Sequence, residues 1–249
     1  YRGQSVSTAR HPSKVEARRK LGRWPHHHQG GRNTMYLRQV RAFDSKARTL
    51  VETFHSYKPK FIQVGRVLTW LVEVDGKTVG AVSIASTLAL FPLEFVRQCG
   101  IDMKMYDGRK VLKSMDLNVI ANVWRFVLTP DAPANTGSKA LSLLAKLAPK
   151  AWKERYNDEL VLLITFVGGG NTGTIYRAAN WKFVCQTHPS KEMRKFSLPK
   201  EQRWKFGTWT KPGSKAPGKL MFMLPLQRDW QQKIRVAPDK SSWYTEKNG

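Results

Sequence analysis

Two short segments carry the residue types that group-transfer chemistry needs. In the first, Asn135-Thr136-Gly137-Ser138 stands between a β-branched run and a helical pattern. Small and polar residues in that place leave backbone N–H groups pointing outward at the positive end of the helix dipole, which suits a pyrophosphate or another anion. Asn135, Thr136, Gly137 and Ser138 are therefore the candidate cofactor-binding residues, although an ordinary helix cap uses the same residue types. The second segment runs from Gly168 to Trp181 and contains Gly168-Gly169-Gly170, Asn171, Gly173, Tyr176 and Asn180. Glycine at this density lets a backbone approach a ligand closely. Tyr176 stands one helical turn before Asn180, so the two share a face, and Asn171 and Asn180 are candidate substrate contacts. The bland reading of the segment is a strand-to-helix loop with a packing Tyr and Trp.

A third feature is compositional. The 249 residues carry 43 Lys and Arg against 18 Asp and Glu, a net charge of +25 and a pI of about 10.4. That imbalance suits a polyanionic partner, with DNA first and RNA as the alternative. The charge is concentrated at the ends: residues 1–34 hold 8 basic and 1 acidic side chains, and residues 188–249 hold 14 and 5. In the C-terminal stretch, Trp204, Trp209, Trp230 and Trp243 alternate with lysines and arginines. Aromatics between cations suit an exposed nucleic-acid strand, each stacked base contributing roughly 1–3 kcal/mol while the cations displace counterions. Trp204 and Trp209 are the candidate stacking residues. Alternatively, some of these rings close the core and the lysines solubilise it.

Several classes are disfavoured. No apolar run approaches the roughly 18 residues of a membrane span, and no basic amphipathic helix shows one clean apolar face, so no membrane partner is expected. Cys99 and Cys185 are far apart and lack ligand spacing, which points to a reducing, cytoplasmic interior without a disulfide framework or zinc site. His26-His27-His28 beside Gly30-Gly31 reads as a solvated linker rather than a metal site.

The elements that must position these segments follow from periodicity. Asp44 reads as the cap of a helix reaching about His55, with Ala47, Leu50, Val51 and Phe54 at helical spacing. Residues 66–74 and 78–86 read as strands joined by Asp75-Gly76-Lys77, a hairpin signal because Asp-Gly tolerates positive φ. Residues 117–128 form a strand and 139–155 a helix, which Pro149 is expected to bend or break. The continuous apolar run at 160–167 marks a strand buried on both faces in mid-sheet. A short helix around 173–179, a strand at 181–187 and a last strand at 219–226 complete an α+β order, helices flanking a mostly antiparallel sheet. Three regions are expected: a basic flexible N-terminal extension at 1–34, a catalytic domain at 35–190, and a basic Trp-rich extension at 191–249 that adds a strand and nucleic-acid contacts.

Trp124-Arg125-Phe126-Val127-Leu128, then Asn135 and Ser138 opening a helix, then Gly173-Thr174-Ile175-Tyr176-Arg177-Ala178-Ala179-Asn180-Trp181, resemble the core pattern of the phage Mu Mom-like proteins of the GNAT (acetyltransferase-fold) superfamily. His55-Ser56-Tyr57, Arg66 and Val79-Gly80-Ala81-Val82-Ser83 resemble the family's N-terminal half, so the likeness spans about residues 50–190. The resemblance implies a twisted GNAT-like sheet, an acetyl-CoA or related acyl donor, and transfer of a small group onto adenine N6 in DNA. In a phage that chemistry protects DNA from restriction nucleases, in the host bacterial cytoplasm. It places the catalytic residues at Arg125, Ser138 and Tyr176: Tyr176 to activate the amine or protonate a leaving thiolate, Arg125 to hold a phosphate or orient a carbonyl, Ser138 to donate to the donor's phosphates. His55 and Tyr57 fall where the family is suspected of positioning the acceptor or a metal. One His with no identifiable carboxylate partner makes a weak metal site, the alternative being a helix-end His against the C-terminal dipole, and no metal ligand is assigned. Where many family members have Tyr-Ala-Asp at the end of the buried strand, this chain has Thr165-Phe166-Val167, without a carboxylate. The other functions compatible with this charge are a GNAT-like acyltransferase acting on tRNA or aminoacyl-tRNA, and a non-catalytic basic DNA-binding protein. The oligomeric state is not legible.

Overall fold

The computed structural model describes residues 34–42, 44–55, 65–87, 91–101, 115–168, 170–187 and 218–235. Seven strands form one sheet: β1 (Met35–Val40), β2 (Val67–Val74), β3 (Lys77–Ser86), β4 (Ile120–Leu128), β5 (Leu162–Val167), β6 (Lys182–Gln186) and β7 (Leu220–Pro225). Their spatial order is β1-β2-β3-β4-β5-β7-β6, and every pairing is antiparallel except β4 with β5. The helices are α1 (Ser45–Phe54), α2 (Leu93–Gln98), α3 (Thr136–Tyr156), α4 (Thr174–Ala178) and α5 (Trp230–Ile234). The expected α+β class with a mostly antiparallel sheet is therefore the observed one.

Local sequence accounts for these elements. Asp44 accepts a hydrogen bond from the Ala47 amide at 2.9 Å and caps α1. Asp75 and Gly76 both take positive φ, 50° and 74°, as the tight β2–β3 turn requires. Strand β5 is buried along nearly its whole length and lies between β4 and β7, the position its apolar run implies.

The sheet separates three apolar clusters. One face packs under α3 and α4, through Leu141, Leu144, Ala148 and Trp152 of α3, Tyr176 of α4, and Ala121, Leu163 and Phe222 of the sheet. On the opposite face α1 covers Leu71, Ala81 and Val127, while α2 and α5 cover Ile120, Leu162, Ile164, Met221 and Met223.

Two expectations change, and two strands take places that the sequence does not mark. α3 is one helix through Pro149 rather than a bent or broken pair. Pro149 removes one N–H, but its neighbours Ala148, Ala151 and Trp152 keep a continuous buried face that outweighs one lost hydrogen bond. The strand expected from 117 starts at Ile120, because Asp116 accepts from the Asn118 amide and winds Leu117–Val119 into a single 3-10 turn. β1 is a strand that no alternation marks; it is held on the edge by Arg38, whose guanidinium donates to Glu73 at 2.8 Å. The last strand expected at 219–226 is β7, which lies between β5 and β6, so Leu220–Pro225 sit inside the sheet.

Candidate active site

Strands β4 and β5 run parallel but pair over three residues only, Ile120–Asn122 with Leu162–Ile164. Beyond that point β4 pairs with β3 as far as Leu128, and β5 with β7 as far as Val167. The two central strands thus part company in the middle of the sheet. Among the described residues the break is bridged by the Thr165 hydroxyl, which donates to the Val123 carbonyl at 3.3 Å.

The N-termini of α3 and α4 meet beside this parting. A Cβ on Gly137 would lie 3.1 Å from Ile175 and 3.5 Å from Leu128, so the first turn of α3, the first turn of α4 and the end of β4 are in contact. At the start of α3, Asn135 has φ of 63° and its side chain caps nothing. The Thr136 amide bonds the Pro133 carbonyl and the Lys139 amide bonds the Asn135 carbonyl. Among the described residues the Gly137 and Ser138 amides have no such acceptor, and they sit at the positive end of a 21-residue helix. The Ser138 hydroxyl donates to the Asn135 carbonyl at 3.2 Å, so the Ser138 group left to donate to an incoming anion is its amide. These residues fit the phosphate groups of an anionic donor.

Tyr176 projects from α4 into the apolar layer. Its ring stacks on Phe222, centroids 5.6 Å apart at 18°, and meets Trp181 edge-on at 5.3 Å. Its hydroxyl end lies near Thr165, whose own hydroxyl bonds the Val123 carbonyl across the divergence. Burial raises the phenol above its ordinary range, and Thr165 only partly offsets this, so Tyr176 is a neutral phenol at physiological pH. Gly173 sets the ring's place: it has φ of 76°, and a Cβ there would come within 2.4 Å of Phe222.

Arg125 reaches the site from the other side of the sheet. The β3–β4 register pairs Ser83 with Arg125 and Ile84 with Val123, which leaves Trp124 as a bulge. The bulge reverses the alternation: Ala121 and Val123 face α3, whereas past Trp124 it is Phe126 and Leu128 that do, so Arg125 and Val127 face α1. The Arg125 guanidinium lies 4.5 Å from the Trp124 ring centroid and donates to the Trp124 carbonyl at 2.9 Å. It is 9% exposed, and burial lowers its pKa to about 10. Lys219, which precedes β7, is depressed by burial and then by the nearby Arg125 charge. No carboxylate among the described residues contributes to the titration of Arg125 or Tyr176.

Residues 93–216 match the Mom protein family, a span that includes Arg125, Ser138 and Tyr176. That segment is Mom-like. Among curated proteins no sequence matches the chain. Similar solved structures include a Bacillus subtilis acetyltransferase in complex with CoA, 9% identical over 79% of this chain and 100% of that one, with a TM-score of 0.45. Another is a GNAT family acetyltransferase from Elizabethkingia anophelis with acetyl-CoA bound, 11% identical over 78% and 99%, TM-score 0.41. A third is an aminoglycoside acetyltransferase in complex with coenzyme A, 12% identical over 80% and 98%, TM-score 0.44.

The Mom-like fold brings Asn135, Thr136, Gly137 and Ser138 together with α4 and Tyr176, and sets Arg125 across the same parting of strands. Other expected contacts stand apart. Asn171 closes its own turn, its side-chain amide donating to the Gly168 carbonyl at 3.0 Å. Asn180 ends α4 in the left-handed region, φ of 63°, and is exposed. His55 is the C-cap of α1, its amide donating to Val51 at 3.0 Å. Tyr57, Trp204 and Trp209 lie outside the described residues. Among the described residues no three His, Cys, Asp or Glu side chains converge as a metal site, and no helix is long and apolar enough to cross a membrane. Thr165, Lys219 and Asn122 were missed by sequence reasoning; Thr165 and Asn122 were legible only as polar residues interrupting apolar strands.

Proposed function

We propose that this Mom-like protein transfers a small acyl-derived group from a CoA-type donor to the exocyclic N6 of adenine in DNA. The observation that carries the reading is the buried, protonated Tyr176 hydroxyl near Thr165, which itself bonds β4 where that strand leaves β5. A proton donor is thereby fixed beside an opening in the sheet, with unpaired helix amides on one face and a buried guanidinium on the other. The family match supports DNA as the acceptor, and the +25 net charge supports a polyanion.

When bound, an acyl-CoA supplies an acyl group on a thiol leaving group, so that a C–N bond to the amine forms as the C–S bond breaks. The Gly137 and Ser138 amides hold the donor's phosphates. Tyr176 would hold a proton at Oη for the thiol leaving group of such a donor and would take one back from the acceptor amine. Arg125 orients the acceptor, since a guanidinium near neutral pH stays charged and cannot act as a base. An adenine inside a duplex must be extruded before it reaches a buried guanidinium, and single-stranded DNA avoids that cost.

The test is nucleoside mass spectrometry on DNA and RNA from cells expressing the full chain, with acyl-CoA added to the purified protein and an adenine oligonucleotide in parallel. A new adenine nucleoside in DNA, absent with Tyr176→Phe, is the expected result. An unchanged adenine pool in DNA overturns the DNA reading, and a modified base confined to RNA moves the activity to the RNA acceptor.

A further inference from the structure

Asn122 and Arg125 occupy consecutive positions of β4 on the sheet face opposite α3, because Ala121, Val123, Phe126 and Leu128 all point toward that helix. Both are more than nine-tenths buried, at 8% and 9% exposed. Each ends in an atom with no hydrogen-bond partner among the described residues: the Asn122 Oδ1, an acceptor, and the Arg125 Nε, a donor. Buried polar atoms are almost always satisfied, so two orphans of opposite sense on one face of β4 need an explanation. The neighbouring strands do not supply one, since Thr69 and Ser83 bond each other at 2.9 Å. The Trp124 bulge between the two residues adds an aromatic face against the guanidinium.

We infer that Asn122 and Arg125 form the recognition edge for the acceptor base, Asn122 Oδ1 taking an N–H of its exocyclic amine and Arg125 Nε donating to the adjacent ring nitrogen. That pattern, a donor beside a lone pair on an N–C=N unit, is the amidine edge of adenine; cytosine has one too, whereas guanine and thymine present a carbonyl where the amine would be. A base filling the site satisfies both orphans at once, and a purine without the amine leaves the Asn122 carbonyl bare. Asn122 is then a specificity residue on the acceptor side, distinct from the helix amides that hold the donor. The inference rests on the adenine reading above.

The experiment compares the full-length wild type with Asn122→Leu on single-stranded oligonucleotides that carry one adenine, one 6-unsubstituted purine or one cytosine in an otherwise abasic-spaced strand. Fluorescence anisotropy gives binding, nucleoside mass spectrometry gives modification, and thermal melting gives stability. Wild type is expected to prefer adenine over the amine-free purine by on the order of 10-fold. Asn122→Leu is expected to lose that preference and raise KM for the adenine strand while its melting temperature stays equal or rises, because an unsatisfied buried carbonyl is removed. A residue with a merely structural role lowers the melting temperature and leaves the preference intact, and that result overturns the inference. So does a wild-type preference for cytosine over adenine. If wild type modifies adenine but Asn122→Leu does so with unchanged KM and preference, the inference fails and the proposed function stands; if wild type modifies no adenine, both fail.

Discussion

Gly173 carries a structural demand that a pair of alanine substitutions isolates. Gly173 has φ of 76°, and a Cβ there would meet Cε2 and Cζ of Phe222 at 2.4 Å. Gly170 has φ of 80°, but nothing lies within 4 Å of its would-be Cβ. Gly170→Ala therefore incurs only left-handed strain, about 1 kcal/mol. Gly173→Ala incurs the same strain and must also displace a fully buried ring, an overpacking cost of typically 1–3 kcal/mol. The sum is about 3 kcal/mol, a large share of the roughly 5–15 kcal/mol that holds a domain folded. In a urea titration the midpoint should fall for both, much further for Gly173→Ala, with an unchanged slope. A thermal scan should show a drop on the order of 10 °C for Gly173→Ala and about 3 °C for Gly170→Ala. Phe222 also stacks on Tyr176, so Gly173→Ala should lose modification activity even well below its melting temperature, whereas Gly170→Ala should retain it. Equal destabilisation by the two alanines would refute the claimed contact between α4 and β7, and full activity in Gly173→Ala would refute the dependence of Tyr176 on that packing.

Tyr176→Phe keeps the ring against Phe222 and Trp181 and removes only the hydroxyl, so stability should change by no more than about 1 kcal/mol while transfer is lost; a stable, fully active variant counts against the acid role. Burial raises the Tyr176 phenol, so the stability it contributes is present below the unfolded value of 10.0 and declines as pH rises above it; Tyr176→Phe should unfold less steeply in that alkaline range, as circular dichroism would show. Arg125 is lowered to about 10, so its charge, and the acceptor binding it supports, should be lost as pH rises through that value, giving an anisotropy titration that Arg125→Met flattens. Cys99 is fully buried and its thiol is pushed up to about 12, so iodoacetamide at pH 8 should leave it unmodified in the native chain and alkylate it in urea, a difference that peptide mass spectrometry reads directly.

The sequence signals that proved legible are those written in local periodicity. Asp75-Gly76 fixes a turn by its φ requirement, 160–167 marks an interior strand by apolar continuity, and Asn135 to Ser138 marks a helix start by residue size and polarity. Elements that owe their form to distant partners were not legible. β1 exists because Glu73 and the backbone of β2 accept it as an edge, and β7 enters the sheet between β5 and β6 although it follows β6 in sequence. Pro149 misled for the same reason, since the packing of Ala148, Ala151 and Trp152 decides against the local preference of the ring. At the site, Ser138 and Tyr176 stood out because glycine and small residues surround them. Thr165 and Asn122 did not, because a polar residue inside an apolar strand acquires meaning only from where the neighbouring strands stop pairing, just beyond Asn122 and at Thr165.

The Trp124 bulge ties these observations to function. Were β4 regular, Val123, Arg125 and Val127 would share one face, and the Arg125 charge would lie under α3 among Leu141, Leu144 and Phe222, where burial without a partner is prohibitive. One inserted residue turns Arg125 to the face of α1 and leaves Phe126 and Leu128 to fill the apolar layer in its place. The same irregularity falls just past Asn122, where β4 ceases to pair with β5. A single local change thus puts the protonated Tyr176 and the free helix amides on one side of the sheet and the guanidinium on the other, with an unpaired stretch of strand between them. Donor and acceptor can then approach from opposite faces and meet at the parting without competing for the same surface, which is the geometry that direct transfer between two bound partners requires.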